Sequence, residues 1–161
     1  MTQTVPIRPL SWLVHLEVSR CRLVLLTGSQ DARVAIENVQ RIMPGCIMLN
    51  LGLVLSQRLL DISSQQRPAQ APIALANVLA GQEPVMLYDI ELLFEPALQL
   101  DPLRALRAAS RSRILLALWP GVFEGGNLTY AEPGHPEYKQ YRPTDLGDVL
   151  VIPTADLTKE A

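Results

Sequence analysis

The sequence predicts an α/β fold in which helices cover both faces of a mostly parallel five-stranded sheet, giving three layers. Short uninterrupted apolar runs of strand length, closed by glycine, asparagine or proline, recur along the chain. Between them lie segments whose apolar residues fall at helical spacing. A chain of 161 residues that is 48% apolar can fill one core, so residues 1–161 read as one domain without internal repeat or linker.

Pro6 and Pro9 precede an amphipathic segment at residues 10–19, a leading helix within residues 1–20 whose Leu13, Val14 and Leu16 cover one side of the sheet. The central part, residues 22–118, opens with a first strand at 22–26, apolar from Leu23 to Leu26. Thr27-Gly28-Ser29-Gln30 turns the chain into a helix over 31–43, with Val34, Ala35, Val39 and Ile42 inward and Pro44-Gly45 ending it. A strand over 46–50 and a helix over 53–62, with Leu55, Leu59 and Ile62 on one face, repeat the unit. Residues 63–72 read as a polar loop, Ile73, Leu75, Val78 and Leu79 as a helix ending at Gly81, and residues 84–89 as a third buried strand. Asp101 at N-cap and Pro102 at the first helical position open a helix through Ser110 with Leu103 and Leu106 inward. Residues 114–118 make the fourth strand.

From Trp119 the character changes. Five of the eight aromatics, Trp119, Phe123, Tyr130, Tyr138 and Tyr141, fall in residues 119–145, and Gly125-Gly126 marks a hairpin turn between Val122-Phe123 and residues 128–130. Residues 148–152 supply the last strand.

The net charge of −2 argues against nucleic-acid binding by bulk electrostatics. Basic residues are 12 Arg against 2 Lys, a bias towards planar, multidentate contacts in ion-pair networks or with phosphates. Cys21 and Cys46 have no second pair to complete a metal site and read as buried free thiols. Residues 47–55 and 114–119 are the longest apolar stretches and fall far short of the roughly 20 residues a membrane span needs. His15 and Glu17 interrupt the apolar run near the N-terminus, so the expectation is an untargeted, soluble, cytoplasmic protein that does not engage a membrane.

In open α/β sheets ligands bind beyond the carboxyl ends of the strands, which points to the loops after Leu26, Asp89 and Leu118. A phosphate loop needs G-x-x-x-x-G-K-[ST], whose lysine reaches the phosphates and whose hydroxyl ligates Mg²⁺. Counting from Gly28 puts Arg33, Val34 and Ala35 in the last three places, and a loop one residue shorter puts Ala32, Arg33 and Val34 there. Either count lacks the hydroxyl, and Asp31 at the helix start would repel an incoming phosphate. The loop therefore reads as a strand-to-helix turn capped by Asp31, or as a nucleotide site in which Gly28 and Ser29 line the loop and Arg33 replaces the lysine.

The third strand delivers Asp89 at its end, where nucleotide hydrolases hold the hydration shell of Mg²⁺, and Glu91 two residues on could polarise a water. Its plainer reading is an acid capping a strand. Arg104, Arg107 and Arg111 at i, i+3 and i+7 make a basic stripe, either a solvated helix face or a contact for DNA, a nucleotide or an acidic partner. His135 sits between Glu132 and Glu137, without a second histidine nearby to form a metal site, and reads as a hydrogen-bonded loop residue. No Gly-x-Ser-x-Gly elbow supports a nucleophilic enzyme.

One resemblance runs through the order of these pieces. Residues 23–28, Asn50-Leu51 with Gln57-Arg58-Leu59-Leu60, Ile90-Glu91-Leu92-Leu93-Phe94, Asp101-Pro102-Leu103, Ser110-Arg111-Ser112-Arg113, Trp119-Pro120-Gly121, and the segment from Leu128 to Tyr138 together resemble the small P-loop protein of BREX type 3 bacteriophage-defence systems, the BrxF family. The resemblance spans residues 23–141. It implies a P-loop NTPase-like fold related to the AAA+ class, working beside a larger ATPase, a methyltransferase and a phosphatase-like protein. The family carries Gly-Lys-Ser/Thr in its phosphate loop, and this chain does not carry it after Gly28. The expectation is an accessory antiviral subunit with a degenerate phosphate loop that needs no cofactor. As a scaffold or adaptor it would bind other BREX proteins, or copies of itself, through Trp119, Phe123, Tyr130, His135, Tyr138 and the arginine stripe. The alternatives are a nucleotide switch or weak ATPase using ATP and Mg²⁺, with Glu91 as its weak catalytic candidate, and a DNA-contacting subunit.

Overall fold

A computed structural model describes residues 11–28 and 31–157. Five strands, β1 (Leu23–Thr27), β2 (Ile47–Asn50), β3 (Val85–Tyr88), β4 (Leu115–Leu118) and β8 (Leu150–Pro153), form a wholly parallel sheet in the order β2-β3-β4-β1-β8. In register, Leu23 faces Leu115 on one side and Val24 faces Leu150 on the other, so β1 is buried among neighbours over its whole length. Its unbroken apolar run follows from this position, because a parallel strand covered on both faces has no polar side to show.

Alternation along each strand divides the interior into two cores. Leu23 and Leu25, Val85 and Leu87, and Leu115 and Ala117 point to one face, where they meet α3 (Leu51–Leu59), α4 (Arg67–Leu79) and α5 (Pro102–Ala109). Val24 and Leu26, Met86, and Leu116 and Leu118 point to the other, against α1 (Ser11–Val18) and α2 (Ala32–Ile42) through Leu16, Ala35 and Val39. Burial of each large aliphatic side chain contributes about 1.5–3 kcal/mol.

The chain between β4 and β8 builds a second, antiparallel sheet in the order β5-β6-β7, from β5 (Val122–Glu124), β6 (Asn127–Tyr130) and β7 (Lys139–Tyr141), followed by the short helix α6 (Pro143–Leu146). Gly125 and Gly126 both have positive φ and make the two-residue turn between β5 and β6. β7 was not foreseen, since Lys139-Gln140-Tyr141 has little strand character. Its place is fixed by tertiary contacts of Tyr141, whose hydroxyl donates to Asp101 Oδ1 at 3.0 Å.

The structure corrects four further expectations. The helix expected from residue 53 begins at Leu51, because Asn50 caps it by accepting from the Leu53 amide at 2.9 Å. The loop expected over 63–72 gives way to α4 at Arg67, where Pro68 suits the first turn and Pro72 forfeits only one ladder bond. Val14 and Val34 face outward, 45% and 46% exposed, with Leu16 and Ala35 taking the inward positions. Lastly, α5 stops at Ala109, which leaves Arg111 off the helix.

Candidate functional site

β1 and β4 lie side by side, yet their outgoing connections diverge. β1 leads to α2 on one face of the sheet, whereas β4 leads to the three-stranded sheet, which joins the core of the opposite face through Trp119, Leu128 and Tyr141. Such a switch point opens a crevice at the carboxyl ends of the strands. An open cleft of about 510 Å³ lies there, walled by Thr27, Gly28 and Ala32 from the first loop, Asp89 and Glu91 after β3, residues 118–123 after β4, and Pro153.

The cleft brings together Gly28, Asp89, Glu91, Trp119 and Phe123. Gly28 adopts φ +80, a conformation that glycine takes without a steric penalty. Ser29 lies outside the described residues. Arg33 is exposed and does not line the cleft. Its backbone amide donates to Asp31 Oδ1 at 2.9 Å, so the Asp31 carboxylate sits where a helix start would otherwise receive a phosphate.

Asp89 follows β3 with φ +51, unusual for a residue with a Cβ, and neighbouring groups hold it there. Its Oδ2 accepts from Asn50 Nδ2 at 2.7 Å, and its carbonyl accepts from the Gly52 amide at 2.9 Å. A Cβ at Gly52 would lie 2.9 Å from that carbonyl oxygen, which explains glycine in the first turn of α3. Asn50 thus caps α3 with its oxygen and ties down Asp89 with its nitrogen. Its role was missed from sequence, although an asparagine between an apolar strand and a helical pattern is an N-cap signal.

Among the described residues lining the cleft, Asp89 and Glu91 are the charged side chains, and both are acidic. Beyond Glu91, the 3-10 turn Glu91–Phe94 carries Phe94 under the small sheet. Phe94 packs edge-on against Trp119 at 5.1 Å between ring centroids and lies 3.9 Å from Tyr130. Burial raises the Tyr130 phenol pKa above its ordinary value, and the carboxylates of Glu137 and Glu91 push it the same way. The Tyr130 hydroxyl donates to Glu137 Oε2 at 3.4 Å.

Trp119 is only 1% exposed. Its Nε1 donates to the Thr129 carbonyl at 2.9 Å, and its ring meets Tyr141 edge-on at 6.0 Å. It is an anchor of the small sheet and not the surface contact expected from sequence. At Gly121 a Cβ would fall 1.7 Å from the Thr129 oxygen, so the chain can fold back onto β6 only with glycine there. Phe123 remains 38% exposed on β5, beside Val122 at 56%, a residue not singled out from sequence. His135 is exposed and its Nδ1 accepts from the Glu137 amide at 3.0 Å, as a loop residue would. Tyr138 is half-buried, with its hydroxyl 3.4 Å from Gln140 Oε1.

The arginines do not form one free stripe. Arg107 donates to the carbonyls of Asp145 at 2.9 Å and Leu146 at 2.7 Å, closing the end of α6. Arg104 and Arg111 are exposed, but Arg111 lies beyond α5. Arg113 is engaged by the carbonyls of Leu79 and Ala109. Two of the four guanidiniums therefore bind backbone carbonyls as structural clamps.

Burial raises the Cys46 thiol to about 11, which leaves it protonated and unreactive at neutral pH. Among the described residues, no group of three or more His, Cys, Asp or Glu is placed to hold a metal ion, and no helix is long and apolar enough to cross a membrane. Comparison with protein-family models, curated proteins and solved structures found no match to this chain.

Proposed function

We propose that this protein is a non-catalytic adaptor built on a degenerate P-loop-type fold, an accessory subunit of a BREX-type bacteriophage-defence system that docks onto a partner such as the larger ATPase. The ordered motifs across residues 23–141 support the family reading. The observation that carries the adaptor reading is the character of the cleft. Its described walls bear two carboxylates and no cationic side chain, while its outer rim exposes Val122 and Phe123. A polyphosphate needs cations or free helix-end amides, and these walls do not fit one. Exposed aromatic side chains, by contrast, are residues that anchor protein interfaces.

The adaptor reading is tested by co-purifying the protein with the other subunits of its defence system. The double variant Val122→Ser with Phe123→Ser is expected to lose its partner while staying folded. Ile73→Ser, which removes an equally exposed side chain on α4, is expected to keep it. Equal capture by both variants contradicts the reading.

One observation favours a second reading, a nucleotide switch: Gly28 and Asp89, distant in sequence, share one cleft. Under that reading ATP with Mg²⁺ would stabilise the fold, and Asp89→Asn would abolish the effect.

A further inference from the structure

The charged side chains are sorted between the two ends of the large sheet. In a parallel sheet every strand enters at one end and leaves at the other. The segments entering β1 and β4 bring Arg20, Arg22, Arg111 and Arg113, and the last turn of α2 brings Arg41, against Glu83 and Asp148 at the entries of β3 and β8. At the exit end, residues 89–95 after β3 and 119–137 after β4 hold six carboxylates and no lysine or arginine. The cations near that end, Arg33, Lys139 and Arg142, do not line the cleft.

Strand register gathers the arginines of the entry end. Leu23 pairs with Leu115, so residues 20–22 run beside residues 112–114. Arg22 Nη2 donates to the Arg111 carbonyl at 3.1 Å, and Arg113 donates to the carbonyls of Leu79 and Ala109. These bonds fix two guanidiniums and leave Arg20 and Arg111 exposed. Because opposite charges lie at opposite ends, few can meet within the chain. Between described side chains one ion pair forms, Arg22 with Glu83 at 3.6 Å. Asp89, Glu91 and Glu124 are exposed at the other end. Each end also shows an apolar side chain beside its charges, Val18 at 82% exposed two residues before Arg20, and Val122 at 56% two residues before Glu124.

We propose that this chain binds a second copy of itself head to tail, the entry end of one copy against the cleft end of the next. Arg20 and Arg111 meet Asp89, Glu91 and Glu124 through charge-assisted bonds, for which the planar guanidinium is suited. Val18 and Val122 add apolar area. Exposed ion pairs are individually weak, so the contact is reversible and sensitive to salt. Like charges oppose the pairing of matching ends, and a contact between unlike ends can repeat beyond the dimer. The cleft end of the last copy stays open to a partner, so the adaptor reading stands independently.

The test is sedimentation velocity of the full chain over a concentration series. At low salt, species larger than the monomer are expected to grow with concentration, and roughly 0.5 M salt is expected to return the monomer. Arg20→Gln with Arg111→Gln disables the entry end, and Glu91→Gln with Glu124→Gln disables the cleft end. Each double variant alone is expected to self-associate at least about tenfold more weakly. Mixed in equal amounts, the two are expected to form a dimer at wild-type strength that grows no further, because each retains one competent end.

A wild-type chain that stays monomeric at low salt overturns the proposal and assigns the charged ends to unlike partners. Self-association indifferent to salt or to either double variant overturns it as well, and so does a mixture that stays monomeric. If partner capture depends on Val122 and Phe123 in any of these cases, the adaptor reading stands and only the head-to-tail contact falls.

Discussion

In the five-stranded sheet every residue of β1 and β4 is buried, whereas in the three-stranded sheet every residue of β5 is exposed. The large sheet is held by area, with side chains from both faces of each inner strand entering one of two cores. The small sheet is held by a few anchors, Trp119, Phe94, Leu128 and Tyr141, which leave its outer strand uncovered. Fold and surface are thereby separated. Substitutions at the buried anchors act strongly on stability, and substitutions on the exposed β5 act on it less.

Trp119→Ala breaks the comparison most severely if the anchors are correctly placed. It empties a large, fully buried site and removes the bond to the Thr129 carbonyl, for an expected loss of about 3–5 kcal/mol in chemical denaturation. A loss below ~1 kcal/mol would return Trp119 to the surface. Arg107→Met comes next. It leaves the terminal carbonyls of α6 without their donors, at a cost of about 1–3 kcal/mol, with faster amide exchange over residues 143–147. Arg104→Ala, on the exposed side of the same helix, should stay within ~0.5 kcal/mol.

Asn50→Ala removes an N-cap and the partner of Asp89 together, and should cost about 1–2 kcal/mol in the same measurement. The double serine variant of Val122 and Phe123 should cost about 1 kcal/mol, far less than Trp119→Ala, because the two side chains are only partly covered.

The large sheet was legible in sequence because its strands are apolar on both faces and its helices carry explicit signals, Asp31 and Asp101 as caps and Pro102 at a first turn. The hairpin at Gly125-Gly126 was legible for the same reason, since that turn demands positive φ. Strand β7 was not, because Lys139-Gln140-Tyr141 is held by contacts that are remote in sequence, such as Tyr141 with Asp101. The site was legible in outline, since the topology does bring Gly28, Asp89 and Glu91 to one cleft. Exposure was the missing quantity. Composition gave Trp119 and Arg107 the character of contact residues, and only packing turns one into an anchor and the other into a clamp.

Thermal unfolding with and without saturating ATP, ADP or GTP and Mg²⁺ tests the central claim most directly. A ligand at about 100 times its Kd adds ~2.7 kcal/mol, a shift of roughly 5–10 °C for a chain of this size. The adaptor account expects no shift with any of the three nucleotides. A clear upward shift that disappears in Asp89→Asn would contradict it and make the cleft a nucleotide site.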